Sequence, residues 1–236
     1  MDMELKNRAK VIFDTGFNIA FRSKLVSVPV IGSYIDVAYT ESIQAIKETA
    51  FQNSLEKLDE EKLDKEYLNS LEFLNLLVRT FKMALDEIER DKVIYYSKLI
   101  KNSIESSKDD RRYTFDYINI VHELSINQMY LLQEIYIQQK DLYKIKEEHP
   151  DCTELSLVEK CTDWKKLPDV LKDKYGIEEN DLNFLLKRTE STGLIHEITG
   201  SYWDYSGGTY IMNESLRKFM DSLDIVVIEN DNLIEE

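Results

Sequence analysis

Glycine and proline are scarce in this 236-residue chain, at seven and three. Few turns can interrupt it, and its many Leu, Ile, Lys and Glu residues favour helix over sheet. Cysteine is scarcer still: Cys152 and Cys161 are the only two, which excludes a disulfide framework. Their nine-residue separation matches no zinc pattern, and a reduced cytoplasmic setting is the expectation. Three histidines, His122, His149 and His196, leave little material for a metal site, and a site shared by His149 with the two cysteines would lack a fourth ligand. Long apolar runs are missing as well. The most apolar window, Leu25 to Thr40, is about half of a bilayer-spanning length and contains Asp36. The polar start Met-Asp-Met-Glu-Leu-Lys does not read as a secretory signal.

Catalytic motifs are absent in the same way. The chain has no phosphate-binding glycine loop, no Gly-x-Ser-x-Gly elbow and no His-Glu zinc-protease motif. Carboxylates abound, but Asp59 to Glu61 and Asp109-Asp110 fall in polar breaks, which read as a solvated surface rather than an acid–base site. No catalytic residue, no metal ligand and no cofactor is assigned, and a non-enzymatic protein is expected.

Charge is lopsided. Lys and Arg number 30 against 45 Asp and Glu, a formal net charge of −15, which disfavours unspecific contact with nucleic acid or anionic lipid. Residues 1–24 run the other way, with five bases against three acids, and residues 226–236 form an acidic tail with four acids and no base. A 43% apolar share with 11% aromatics is ample for a core.

The pattern predicts a mainly α chain in two parts. Residues 1–123 read as a helical bundle with kinked amino-terminal segments around Pro29 and Gly32. The clearest helix is expected over Lys65 to Arg90, with Leu71, Leu74, Val78, Phe81, Leu85 and Ile88 as its buried row. Leu68, Phe73, Leu76 and Leu77 widen that row, so a homodimer through this face is expected, with Leu77 as a contact residue. Helices over about Asp91 to Ser106 and Thr114 to Glu123 complete the bundle.

Residues 124–225 read as a winged-helix-like domain. Ser125 and Gln128 fit a capping box, with Leu124 and Met129 as the hydrophobic staple. The helix they open is expected to continue to about Glu148, and a short helix follows at Leu155 to Lys160. Pro168 suits the first turn of the next helix and Gly176 its end. The third helix, Glu178 to Thr192, is expected to bury Leu182, Leu185 and Leu186 and to stop at Gly193. Leu194 to Ile198 and Thr209 to Met212 make a two-stranded hairpin. Asn213 caps a closing helix that turns Leu216, Phe219, Met220 and Leu223 inward.

The charges of this part are wrong for DNA. The helix in the recognition position carries Glu178, Glu179, Asp181 and Glu190 against Lys187 and Arg188, and the wing loop Gly200 to Gly208 has no base. A DNA reader takes much of its affinity from Lys and Arg that displace phosphate counterions. The same loop holds Tyr202, Trp203 and Tyr205, side chains that bring contact area at small entropic cost. Those three residues and Leu77 are the candidate partner-binding positions.

A family resemblance can be followed along the chain. Val28-Pro-Val-Ile-Gly32 leads into a long helix and the acidic stretch Leu58 to Leu63. Next come Tyr67-Leu-Asn-Ser-Leu-Glu-Phe-Leu74 and Glu89-Arg-Asp-Lys-x-x-Tyr-Tyr-x-x-Leu-Ile-x-Asn-Ser103, then Leu124-Ser-x-x-x-Met-x-Leu-Leu132. Over about residues 25–220 this resembles the bacterial abortive-infection proteins of Abi-alpha type. The resemblance implies a bacterial or prophage protein with a role in phage defence, and it carries over no catalytic residue. The leading expectation is an adaptor or sensor that acts through protein–protein contacts. A winged-helix regulator that reads DNA through Lys165, Lys166, Lys172 and Lys174 is the alternative. A third reading is an effector that touches a membrane surface through residues 1–39.

Overall fold

The computed structural model describes residues 64–198 and 208–225. Among the described residues the fold is mainly helical with one small antiparallel sheet of two strands. The chain divides between Glu123 and Leu124 into two compact units. The kinked segments around Pro29, the wing loop with Tyr202, Trp203 and Tyr205, and the acidic tail lie outside the described residues.

The first unit contains α1 (Lys65–Leu68), α2 (Leu71–Asp86), α3 (Arg90–Glu105), α4 (Lys108–Arg111) and α5 (Thr114–Glu123). The single rod expected over Lys65 to Arg90 is broken twice. Ser70 stops the first turn and caps α2 by accepting the Phe73 N–H at 3.1 Å. At the other end the Glu87 carboxylate accepts the N–H groups of Ile88 and Glu89, which would otherwise be unpaired between α2 and α3. The expected buried row of α2 is corrected as well. Leu71 is 71% exposed and Ile88 93% exposed, whereas Phe73, Leu76, Leu77, Thr80, Phe81 and Ala84 are buried. That stripe passes through Thr80, whose hydroxyl donates to the Leu76 carbonyl at 2.7 Å and so can be buried at little cost.

Helix α2 packs on α3 and α5, and α3 packs on α5. Tyr96, Leu99, Ile100, Ile104, Ile118 and Val121 fill the space between them. The polar break at 106–112 is a helical turn, capped by Ser107 and carrying a buried arginine. Arg111 lies over the Tyr67 ring, 3.9 Å from its centroid, donates to the Ser106 carbonyl and pairs with Asp64 at 2.8 Å. Asp64 also caps α1 by accepting the Tyr67 N–H, so one carboxylate fixes two helical turns.

The second unit contains α6 (Ile126–Gln139), α7 (Leu142–Glu148), α8 (Glu154–Cys161), α9 (Leu167–Tyr175) and α10 (Glu179–Glu190), then β1 (Ile195–Glu197), β2 (Tyr210–Met212) and α11 (Glu214–Ser222). Its start is as expected. Ser125 and Gln128 form the capping box, and Leu124 and Met129 are both buried. The continuous helix to Glu148 is corrected: α6 ends at Gln139 and α7 begins at Leu142. Gly176 and Gly193 have φ of 69° and 73°, left-handed values at which a side chain would be strained. Asn213 caps α11 by accepting the Leu216 N–H, and Leu216, Phe219, Met220 and Leu223 are buried.

Helix α6 is the axis of this unit and touches α8, α9, α10, α11 and β2. The hairpin pairs Ile195 with Met212, His196 with Ile211 and Glu197 with Tyr210. Three residues per strand leave two ladder edges open, and helices close both with side chains. Gln139, fully buried on α6, accepts the Met212 N–H at 2.8 Å and donates to the Tyr210 carbonyl at 3.0 Å. On the opposite edge the Glu190 carboxylate accepts the Glu197 N–H at 2.9 Å. The hairpin is thus held as if it had neighbours on both sides.

Candidate interaction surface on the carboxy-terminal unit

The surface in question is the outward side of α10 and the hairpin beside it. Pro168 in the first turn of α9 and the left-handed Gly176 at its end set the turn into α10, and Ile177 buries itself in that turn. Leu185, Leu186 and Thr189 then face the core, and the Thr189 hydroxyl accepts from the Gln128 amide at 3.3 Å. The positions opposite them must face water by helical geometry. Among these Phe184 is 64% exposed, while Asp181 precedes it by three residues and Arg188 follows by four; both are exposed. Glu179 and Asp181 lie in the first helical turn, and Lys187 and Arg188 in the last, the order that the helix dipole favours.

Lysines around this surface are engaged by carboxylates. Lys187 contacts Glu197 at 2.5 Å and Glu190 at 3.2 Å, and its ammonium sits 5.5 Å from the centroid of the Tyr210 ring. Glu197 first, then Tyr210 and Glu190, raise the Lys187 pKa above the usual lysine range. The Glu197 carboxyl is held below its ordinary value by Lys187 and then by the Gly208 N–H, which it accepts at 2.7 Å. That last bond joins the two ends of the described hairpin. Lys172 pairs with Glu178 at 2.8 Å, Lys166 with Asp163 at 2.9 Å, and Lys174 with the buried Glu134 at 3.0 Å. The Tyr175 hydroxyl donates to the same Glu134 carboxylate at 2.8 Å.

Of the partner-binding positions read from the sequence, Tyr202, Trp203 and Tyr205 lie outside the described residues. Leu77 is corrected. It is 0% exposed within the single chain, so it has no surface to offer a second protein. Phe184 was missed. It adjoins Leu185 and Leu186 in the sequence, and only the burial of Leu185 and Thr189 reveals that it points outward.

The polar residues elsewhere are scattered. The His122 ring Nδ1 lies 3.5 Å from the Tyr96 hydroxyl, and His196 Nε2 lies 3.9 Å from Glu154. Cys152 and Cys161 form no disulfide. Burial, and then the nearby Asp141, push the Cys161 thiol pKa up. Among the described residues no group of three His, Cys, Asp or Glu side chains could hold a metal ion, and no helix is long and apolar enough to cross a membrane. No family model matches the chain, and neither a curated protein nor a solved structure is significantly similar to it.

Proposed function

We propose that the second unit is a winged-helix-like module that binds protein rather than DNA, and that the chain is a non-enzymatic adaptor or sensor. The element order supports the module: α6, α9 and α10 pack together, a hairpin follows, and α11 closes back on α6. The observation that carries the functional reading is Phe184, 64% exposed on the helix in the recognition position. An aromatic ring there gives a protein partner an anchor, whereas a phosphate backbone gains nothing from it. The same reading explains the ion pairs. Lys172, Lys174 and Lys187 would each have to leave a carboxylate to reach a phosphate. A part in phage defence rests on the family resemblance alone, and contact with a membrane rests on residues 1–39, outside the described ones.

Fluorescence anisotropy with labelled duplex DNA, read over a series of salt concentrations, tests this. The expected result is no saturable binding at low salt. Tight binding with a steep salt slope would install the DNA-reading alternative in its place.

A further inference from the structure

The outward side of α10 has a second property besides its aromatic ring. Asp181 and Arg188 stand on the same flank of the helix, two turns apart, with Phe184 midway between them. Seven residues span about 10 Å along a helix, too far for the two charges to pair with each other. Among the described residues neither makes an ion pair, and both are exposed. The helix therefore presents a negative end and a positive end along one flank, with an apolar ring turned about 40–60° from their line at mid-length.

Such a pattern is self-complementary. A two-fold axis perpendicular to the helix and passing beside Phe184 brings a second α10 against the first in the opposite direction. That operation keeps each flank on its own side, so Asp181 of one copy meets Arg188 of the other, and the reverse contact forms with it. The two Phe184 rings meet near the axis, and Asn180 faces Lys187. Isologous contacts of this kind need one patch that complements itself under the two-fold. Nucleic acid would satisfy Arg188 but oppose Asp181, and a wholly basic partner would do the reverse.

We infer that α10 is a homodimer interface, in which Phe184 packs on its own copy and two reciprocal Asp181–Arg188 pairs fix an antiparallel register. This deepens the reading of α10 as a protein-binding helix and rests on it. The contact replaces the one expected through Leu77, which the first unit buries in its own core.

Sedimentation of the full chain over a range of concentrations measures the association, and charge reversal tests the register. Asp181→Arg alone and Arg188→Asp alone should each weaken dimerisation at least about tenfold, because like charges then oppose each other twice. The double reversal should restore it. An equimolar mixture of the two single variants should also dimerise, since one chain then carries two bases and the other two acids. Phe184→Ser should weaken association without any change in helical circular dichroism. A chain that stays monomeric throughout, a dimer that ignores these substitutions, or single variants that are not rescued by mixing would each overturn the inference. DNA anisotropy on the same samples separates the two ideas. A monomer without affinity for DNA removes only the dimer, whereas a salt-sensitive DNA complex removes the protein-binding reading beneath it.

Discussion

The two units solve the same problem, how to bury polar groups, in different ways. In the first unit buried hydroxyls donate to carbonyls of their own helix, as Thr80 and Ser103 do, and the buried bases reach acids and carbonyls of neighbouring elements, as Arg111 reaches Asp64. Lys92, 7% exposed at its side chain, pairs with Glu87 at 2.6 Å and donates to the His122 carbonyl at 3.3 Å. The second unit contains a sheet too small to complete its own ladder, and helices lend it side chains. Gln139 serves one edge and Glu190 the other. Both units combine apolar packing with a few buried polar contacts, which in the first tie charged side chains between helices and in the second complete the edges of the sheet. Substitutions should separate the units sharply. Both tryptophans, Trp164 and Trp203, belong to the second unit, so tryptophan fluorescence follows that unit while circular dichroism follows helices in both.

The largest effect is expected from Leu77→Glu. It places a carboxylate at a fully buried position between helices. An unpaired buried charge costs several kcal/mol, on the order of the whole stability of a small domain. Much of the helical signal should disappear while the tryptophan signal keeps its native wavelength. Loss of both signals would mean that the units do not fold independently.

Gln139→Leu comes next and acts on the other unit. The new side chain fills a similar volume but leaves the Met212 N–H and the Tyr210 carbonyl buried without partners. Two such groups cost about 2–6 kcal/mol together. The tryptophan-detected melting temperature should fall while a helical transition from the first unit stays in place. An unchanged tryptophan transition would mean that water reaches this edge of β2.

What could be read from the sequence follows the same division. Local signals survived: the Ser125–Gln128 box, Pro168 with Gly176, Gly193, and Asn213 are each decided by one or two side chains next to the backbone they serve. Signals that depend on the tertiary neighbour did not. The first unit's α2 carries apolar residues on nearly every side, so steps of three and four fit more than one row, and the buried one runs through Thr80 and Ala84. The break after Gln139 has no glycine or proline to announce it. It occurs where the Gln139 side chain turns to the hairpin, about 70 residues further along, a partnership that no local pattern encodes. At the candidate surface the acidic character of α10 was legible, and the outward turn of Phe184 was not.

Ser125→Ala should have a smaller effect, about 1 kcal/mol, the usual worth of a helix cap. Its Oγ accepts the Gln128 backbone N–H at 3.3 Å, and the Gln128 side-chain oxygen Oε1 accepts the Ser125 N–H at 3.1 Å. The Gln128 amide also donates to Thr189 on α10, so a modest loss at the cap should be felt at the candidate surface. Thr189→Val in the same background tests the connection. If the two substitutions add fully, the cap and the α10 contact are independent; a shortfall in the sum measures their coupling.

The smallest effect is a dependence on acid at the base of the hairpin. Glu197 accepts the Gly208 N–H and pairs with Lys187, and both contacts lower its pKa in the folded chain, Lys187 more than Gly208. A carboxylate whose folded value is depressed contributes stability above its unfolded value, and that contribution is lost as pH falls through the folded one. With an ordinary glutamate value of 4.5, the bond to Gly208 is intact at neutral pH and is released only below that value. The contact is near the surface, so water and salt screen most of its energy. The Gly208 amide itself is the sensitive reporter. Its nitrogen–proton resonance should titrate with a midpoint below 4.5, and in Glu197→Gln it should stay flat over the same range. A titration that persists in the Gln variant would assign the proton to another group, and one that centres above 4.5 would mean that Lys187 does not hold this carboxylate.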